Sequence, residues 1–164
     1  MSTSEPVRAN PVLSAILNLL RVGAFLGSLA TWLIGVIVCY DVLMRYWGQP
    51  TLWALEISTY LMIGAAVFAS GLAIVNNDHF SVDIFPNSLA RKKRRVLDFA
   101  INFSCMVLTA FVAYGFWKLT AISYRFELNS ATLLHIPLMY PQGATLIGFA
   151  LMVLGFIYKM FSGK

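Results

Sequence analysis

From residue 53 to residue 75 the chain holds a single charged side chain, Glu56, in an otherwise uncharged and largely apolar run. At ~1.5 Å of rise per residue in a helix, the run covers roughly the ~30 Å hydrocarbon core of a bilayer. It reads as a membrane-spanning helix, and Glu56 as an intramembrane acid. A charge at the bilayer centre costs about 2.5 kcal/mol or more, so acids there usually face protein or water and mark candidate functional sites. Glu56 lies only one helical turn inside Trp53, ~4.5 Å along the axis, near the depth of an interfacial aromatic belt. Its penalty is therefore partial, and three partners stay open: interfacial water, Arg45 of the same chain, or a cation on another protein.

Helical phase adds a second constraint. Trp53, Glu56, Tyr60, Ile63 and Gly64 share one face at i, i+3, i+4 spacing, while Ala65, Ala69 and Ala73 form a stripe of small residues on the opposite face. A helix surrounded by lipid needs neither stripe. Both sides are expected to meet protein.

The whole chain fits the same setting. Its 164 residues are 59% hydrophobic and 12% charged, with a mean hydropathy of +0.75, too apolar for a soluble domain. The expected fold is all-α: a single integral membrane domain of four transmembrane helices, approximately 12–40, 53–75, 89–118 and 140–161. The net charge of +5 points to nucleic acid only if the basic residues form a face on a soluble fold. Here five of the twelve stand in one run, Arg91-Lys92-Lys93-Arg94-Arg95, which is a topology signal. No nucleic-acid partner is expected. Cys39 and Cys105 lie in apolar segments without CxxC or Cys/His spacing, so neither a disulfide framework nor a metal site is indicated, and both read as packing residues.

Residues 1–11 are polar, contain two prolines and read as a disordered tail. The apolar run 12–40 is broken only by Arg21, which snorkels to the near interface. Ser28-Leu29-Ala30 resembles a signal-peptidase site, but the run continues well past it and is expected to be a retained helix. Gly23, Gly27, Thr31 and Gly35 recur every four residues, which lets a neighbouring helix approach closely. Gly48-Gln49-Pro50 marks the turn of a connector over 41–52. Residues 76–88, with Pro86 and loosely alternating apolar positions, are expected to lie along the interface between helices two and three; a solvated loop is the plainer alternative. Ser88 can cap the third helix, in which Arg94 and Arg95 stand four and three residues before Asp98, the spacing of a structural ion pair. A connector over 118–139 leads to Pro141, suited to the first turn of the last helix, whose Ala144, Gly148 and Gly155 are small contact residues.

The five basic residues lie between helices two and three, so that connector is expected in the cytoplasm, with both termini on the same side and Glu56 toward the outside. No P-loop, GxSxG, HExxH or dinucleotide fingerprint occurs, so no enzyme activity and no cofactor are expected. His79 and His135 fall a membrane thickness apart in this topology and cannot share a haem.

Several short motifs combine with this layout: Arg45-Tyr46, Gly48-Gln49-Pro50-Thr51-Leu52-Trp53-Ala54-Leu55-Glu56, His79-Phe80-Ser81-Val82-Asp83, Asn129-Ser130, Ile136-Pro137 and Pro141. Together they resemble the DctQ family, the small membrane subunit of tripartite ATP-independent periplasmic (TRAP) transporters, over nearly the whole chain. The chain departs from the family at Asn76-Asn77-Asp78, where members usually carry a basic residue and a glycine. The resemblance implies a subunit of the bacterial inner membrane bound to a large multi-helix permease subunit, with which it imports carboxylate-bearing solutes delivered by a periplasmic substrate-binding protein. It further implies sodium coupling in the large subunit, an elevator motion of that subunit, and a static scaffold role here. Arg45, Trp53, Glu56 and Tyr60 would then bear on the subunit interface or on docking of the binding protein, with no substrate or sodium ligand in this chain. The competing reading is a self-sufficient four-helix exporter working as a homodimer, with Glu56 exchanging protons. Depth opposes it, since such an acid belongs near the midplane, about where Gly64 lies. A pure assembly factor is a third reading.

Replacing Arg91, Lys92, Lys93, Arg94 and Arg95 with uncharged residues is expected to give mixed orientations, because basic residues beside a membrane end resist translocation. Labelling of a cysteine introduced at Asn87 reads the side; access from the periplasm in the otherwise unmodified protein would refute the assignment.

Overall fold

The computed structural model describes residues 11–76, 91–132 and 134–162, without the side chains of Pro11, Arg91, Lys92, Lys93, Arg94, Arg95, Phe161 and Ser162. Four helices follow in order: α1 Pro11–Tyr46, α2 Trp53–Asn76, α3 Arg91–Arg125 and α4 Met139–Ser162. All four contain stretches long and apolar enough to cross a membrane, and no strand occurs among the described residues. The expected interfacial segment lies outside the described residues except for Asn76, which closes α2. The basic run forms the first turns of α3.

Two helices outrun the sequence-based limits. α1 continues through Asp41 to Tyr46, so the connector shortens to residues 47–52, and α3 continues past Lys118 to Arg125. Polar residues are good markers of where the bilayer ends but poor markers of where a helix ends, since a helix can run on into water. At ~1.5 Å per residue both exceed the ~30 Å core, by tilting or by projecting beyond it. α1 is stopped by a Schellman cap: the amide of Gln49 donates to Met44 O and that of Gly48 to Arg45 O, both at 3.0 Å. Gly48 sits at φ 75°, the left-handed conformation that only glycine takes freely.

α2 lies between α1 and α4, and α4 also touches α1, so these three helices form the packed unit. α3 packs mainly on α4. The buried core collects toward the end opposite the two short connectors, where Leu20 of α1, Ile74 of α2, and Leu151 and Phe156 of α4 are withdrawn from the surface. Helix contacts in lipid rest on close packing, because lipid tails are as apolar as leucine. The small residues supply it. A Cβ added at Gly27 would stand 3.0 Å from the Ala65 carbonyl oxygen and 3.2 Å from the Ala69 methyl. One added at Gly155 would stand 2.7 Å from the carbonyl oxygen of Gly71.

Of the two expected stripes of α2, Ala65 and Ala69 meet α1, whereas Ile63 is exposed and a Cβ at Gly64 would reach only Phe68 of its own helix; Val67 and Gly71, named in neither stripe, meet α4 at Gly148 and Gly155. Gly23 abuts Phe68 and Leu151, Ala73 is half-buried, and Gly35 has nothing within 4 Å of where a Cβ would lie. Cys39 and Cys105, expected to pack, are exposed.

Gly155→Leu should destabilise the fold by about 1–3 kcal/mol or more through overpacking against backbone that cannot yield. Gly35→Leu, in open space, should leave thermal unfolding of the detergent-solubilised protein nearly unchanged. A similar loss at both positions would show that the close approach of α4 to α2 is not what holds them.

Candidate functional site

The polar groups gather at the end that carries the two short connectors. Two left-handed residues shape the connector between α3 and α4. Glu127 (φ 48°) ends α3, with the Leu128 amide donating to Ser123 O at 3.0 Å, and His135 (φ 45°) closes a turn, its amide donating to Thr132 O at 3.2 Å. Non-glycine residues in that conformation cost of order 1–3 kcal/mol and persist where the surroundings impose them. Between them the chain folds back on itself: Ser130 N donates to Ile136 O and Leu138 N to Leu128 O, both at 2.9 Å, with Asn129 opposite Pro137. Ser130 and Thr132 project from this fold.

They meet Glu56. The Tyr60 hydroxyl donates to Glu56 Oε1 at 2.9 Å, and Thr132 Oγ1 donates to Glu56 Oε2. The Ser130 hydroxyl lies 2.7 Å from Thr132 Oγ1 and 3.4 Å from the Tyr60 hydroxyl. With the Thr132 proton committed to the carboxylate, Ser130 donates to Thr132, and the three hydroxyls form a chain that ends on Glu56. The carboxylate residue is 8% exposed. No Lys or Arg pairs with it among the described residues.

Arg45 is accordingly not its partner. The Arg45 guanidinium pairs with Asp41 on the same helix at 2.8 Å. Asp41 also accepts from the Thr51 amide at 3.2 Å and from the Thr51 hydroxyl. The physical reason is geometric: an i, i+4 pair on α1 needs no reach across to the side of α2 that bears Glu56. Trp53 packs against Tyr40 with ring centroids 5.9 Å apart, which ties the start of α2 to α1.

Of the residues singled out from sequence, Glu56 and Tyr60 come together, while Arg45 and Trp53 belong to the α1–α2 junction. Ser130, Thr132, Asp41 and Thr51 were missed as a group. The signal available was hydroxyl spacing, Ser130-Ala131-Thr132, which places two hydroxyls on one side of an extended chain. The pairing of Asp98 with Arg94 or Arg95 rests on side chains outside the described residues. Among the described residues no group of His, Cys, Asp and Glu could hold a metal ion.

A carboxylate bonded to two hydroxyls of its own chain, one of them backed by a third, can hold the connector against α2, but it offers no activated nucleophile or paired acid and base. The arrangement defines a multi-pass helical membrane protein whose polar groups brace one end of the bundle. Residues 34–163 match the family described as Tripartite ATP-independent periplasmic transporters, DctQ component, and the chain belongs to this family, that of the TRAP transporter small permease subunit. That family is a component of transporters, not of enzymes. No curated protein matches the chain.

Thr132→Val and Glu56→Ala should both raise amide hydrogen exchange over residues 128–138, since either removes a hydrogen bond to a charged group, worth about 1.5–3 kcal/mol. Arg45→Ala should raise it around Thr51 instead. If Arg45→Ala loosened residues 128–138 as much as Glu56→Ala, the hydroxyl chain would not be what holds that connector.

Proposed function

We propose that this chain is the fixed scaffold of a sodium-coupled importer of carboxylate solutes. It binds a large permease subunit that carries the substrate and sodium sites, and a periplasmic binding protein delivers the solute. The complex lies in the bacterial inner membrane, with both termini and the basic run of α3 in the cytoplasm and residues 76–88 along the interface. The periplasmic surface is then the one formed by the connectors at residues 47–52 and 126–138.

Membership of the DctQ family carries this reading. The interior of the chain supports it. The described charged residues stand toward the ends of the helices, and the one buried in α2 is engaged by hydroxyls of its own chain. A carrier needs an ionisable group or a broken helix near the midplane, where each side of the membrane gains access in turn. α2 is continuous from Trp53 to Asn76 and is braced on both sides. Arg45, Trp53, Glu56 and Tyr60 serve the scaffold through the shape of the periplasmic end rather than as direct ligands: Glu56 and Tyr60 fix the 126–138 connector, and Arg45 and Trp53 fix the 47–52 connector.

Liposomes containing this chain alone should take up no solute, whereas sodium-driven uptake should appear when the large subunit and the binding protein are added. Uptake by the isolated chain would overturn the scaffold reading in favour of the exporter.

A further inference from the structure

α3 packs on α4, with an aromatic contact of Phe116 with Phe149 (centroids 5.3 Å apart) and a hydrogen bond from the Ser123 hydroxyl to Gln142 Oε1 at 2.7 Å. Beside this seam the helices leave a groove of about 300 Å³, lined by Trp117, Thr120, Ala121 and Tyr124 of α3 and by Met139 and Leu146 of α4. Its walls are apolar. The Thr120 hydroxyl donates to Phe116 O at 2.8 Å, and the Thr120 methyl faces Gly143, which has no side chain to fill the space.

Depth and charge indicate what fits there. With Val96–Arg125 centred in a ~30 Å core, the hydrocarbon ends about ten residues from the middle of the span, near Ala121. Trp117 then lies at the acyl boundary, and Tyr124 and Arg125 lie at headgroup depth, where amphipathic aromatic and basic side chains anchor. Arg125 is exposed, and no carboxylate pairs with it among the described residues. Lys118, by contrast, sits with its ammonium 5.1 Å from the centre of the Tyr114 ring. A protein helix is roughly 10 Å across, too wide for a space of 300 Å³ at the low end of small-molecule pockets. An acyl chain is narrow enough.

We propose that the groove between α3 and α4 seats one acyl chain of a phospholipid whose phosphate is held by Arg125. A guanidinium matches a phosphate with two parallel hydrogen bonds, and the indole of Trp117 and phenol of Tyr124 flank the glycerol level. The bound lipid fills the groove beside the seam that the Phe116–Phe149 and Ser123–Gln142 contacts mark.

Native mass spectrometry of the delipidated full-length chain tests this, with phosphatidylglycerol and a diacylglycerol of the same acyl chains added to the detergent solution. One phosphatidylglycerol per chain is expected, retained at least about tenfold better than the diacylglycerol, the scale of a charge-assisted hydrogen-bond pair. Arg125→Gln should bring phosphatidylglycerol down to the diacylglycerol level, Ala121→Phe should abolish retention of both, and Lys118→Gln should change neither. Circular dichroism and thermal unfolding of each variant separate lost binding from lost fold. Equal retention of the two lipids by the unchanged chain would overturn the phosphate contact. Undiminished binding by the well-folded Ala121→Phe variant would overturn the groove as the site. Loss of the lipid on assembly with the large subunit would assign the groove to that partner instead.

Discussion

Everything in this chain depends on how closely α2 can approach its neighbours. In water, burying apolar side chains would drive the helices together; in lipid that drive is absent, and contact energy comes from dispersion between atoms at van der Waals distance. That energy is available only where backbones come close, so Gly27 against Ala65 and Ala69, and Gly155 against Gly71, decide which faces meet. Larger side chains would hold the axes apart and forfeit the gain. The packing of α2 between α1 and α4 follows, and with it the position of every polar group on the connectors that α2 supports.

Close packing leaves the polar end to be settled by hydrogen bonds. Glu56 is buried and unpaired with Arg45, whose guanidinium is taken by Asp41, and an unsatisfied carboxylate there would be costly. Three hydroxyls resolve it, and two of them arrive on a connector whose path includes Glu127 and His135 in left-handed conformations. Strain in the backbone and bonds to the carboxylate are thus opposing terms at one place. The charge-assisted bonds, worth about 1.5–3 kcal/mol each, are of the size needed to offset two residues at roughly 1–3 kcal/mol apiece.

The four membrane-length helices were legible because uncharged apolar runs of that length form little besides membrane spans, and Glu56 was legible because a lone charge in such a run is conspicuous. The destination of its bonds was not. Arg45 lay nearby in sequence and carried the complementary charge, yet Asp41, one turn earlier on the same helix, took it at 2.8 Å. Nothing in a sequence announces that Thr132, seventy-six residues from Glu56, supplies the proton. Hydroxyl residues are common and their partners are set by tertiary approach. The stripes on α2 were visible as contact faces, but periodicity does not say whether the contact belongs to the chain itself or to another protein. Here Ala65, Ala69 and Gly71 are met from within.

That internal use of α2 bears on where a partner subunit could bind. With its two small-residue faces covered, the wide surfaces left are the outer sides of α1 and α3. On α3 only Ser123 is buried among the described residues, while Phe99, Phe103, Leu108, Phe111 and Trp117 are exposed. Apolarity alone cannot divide these surfaces between lipid and protein, since both are oily. Contacts within the chain show instead which of them are already taken. α2 is clamped along its length by α1 and α4 and at its first turns by Tyr40 against Trp53 and by the hydroxyls on Glu56. α3 packs on α4, with contacts at Phe116 and Ser123. A partner docking on this chain would therefore find the outer side of α3 open, beside a core in which α2 is already held by α1 and α4.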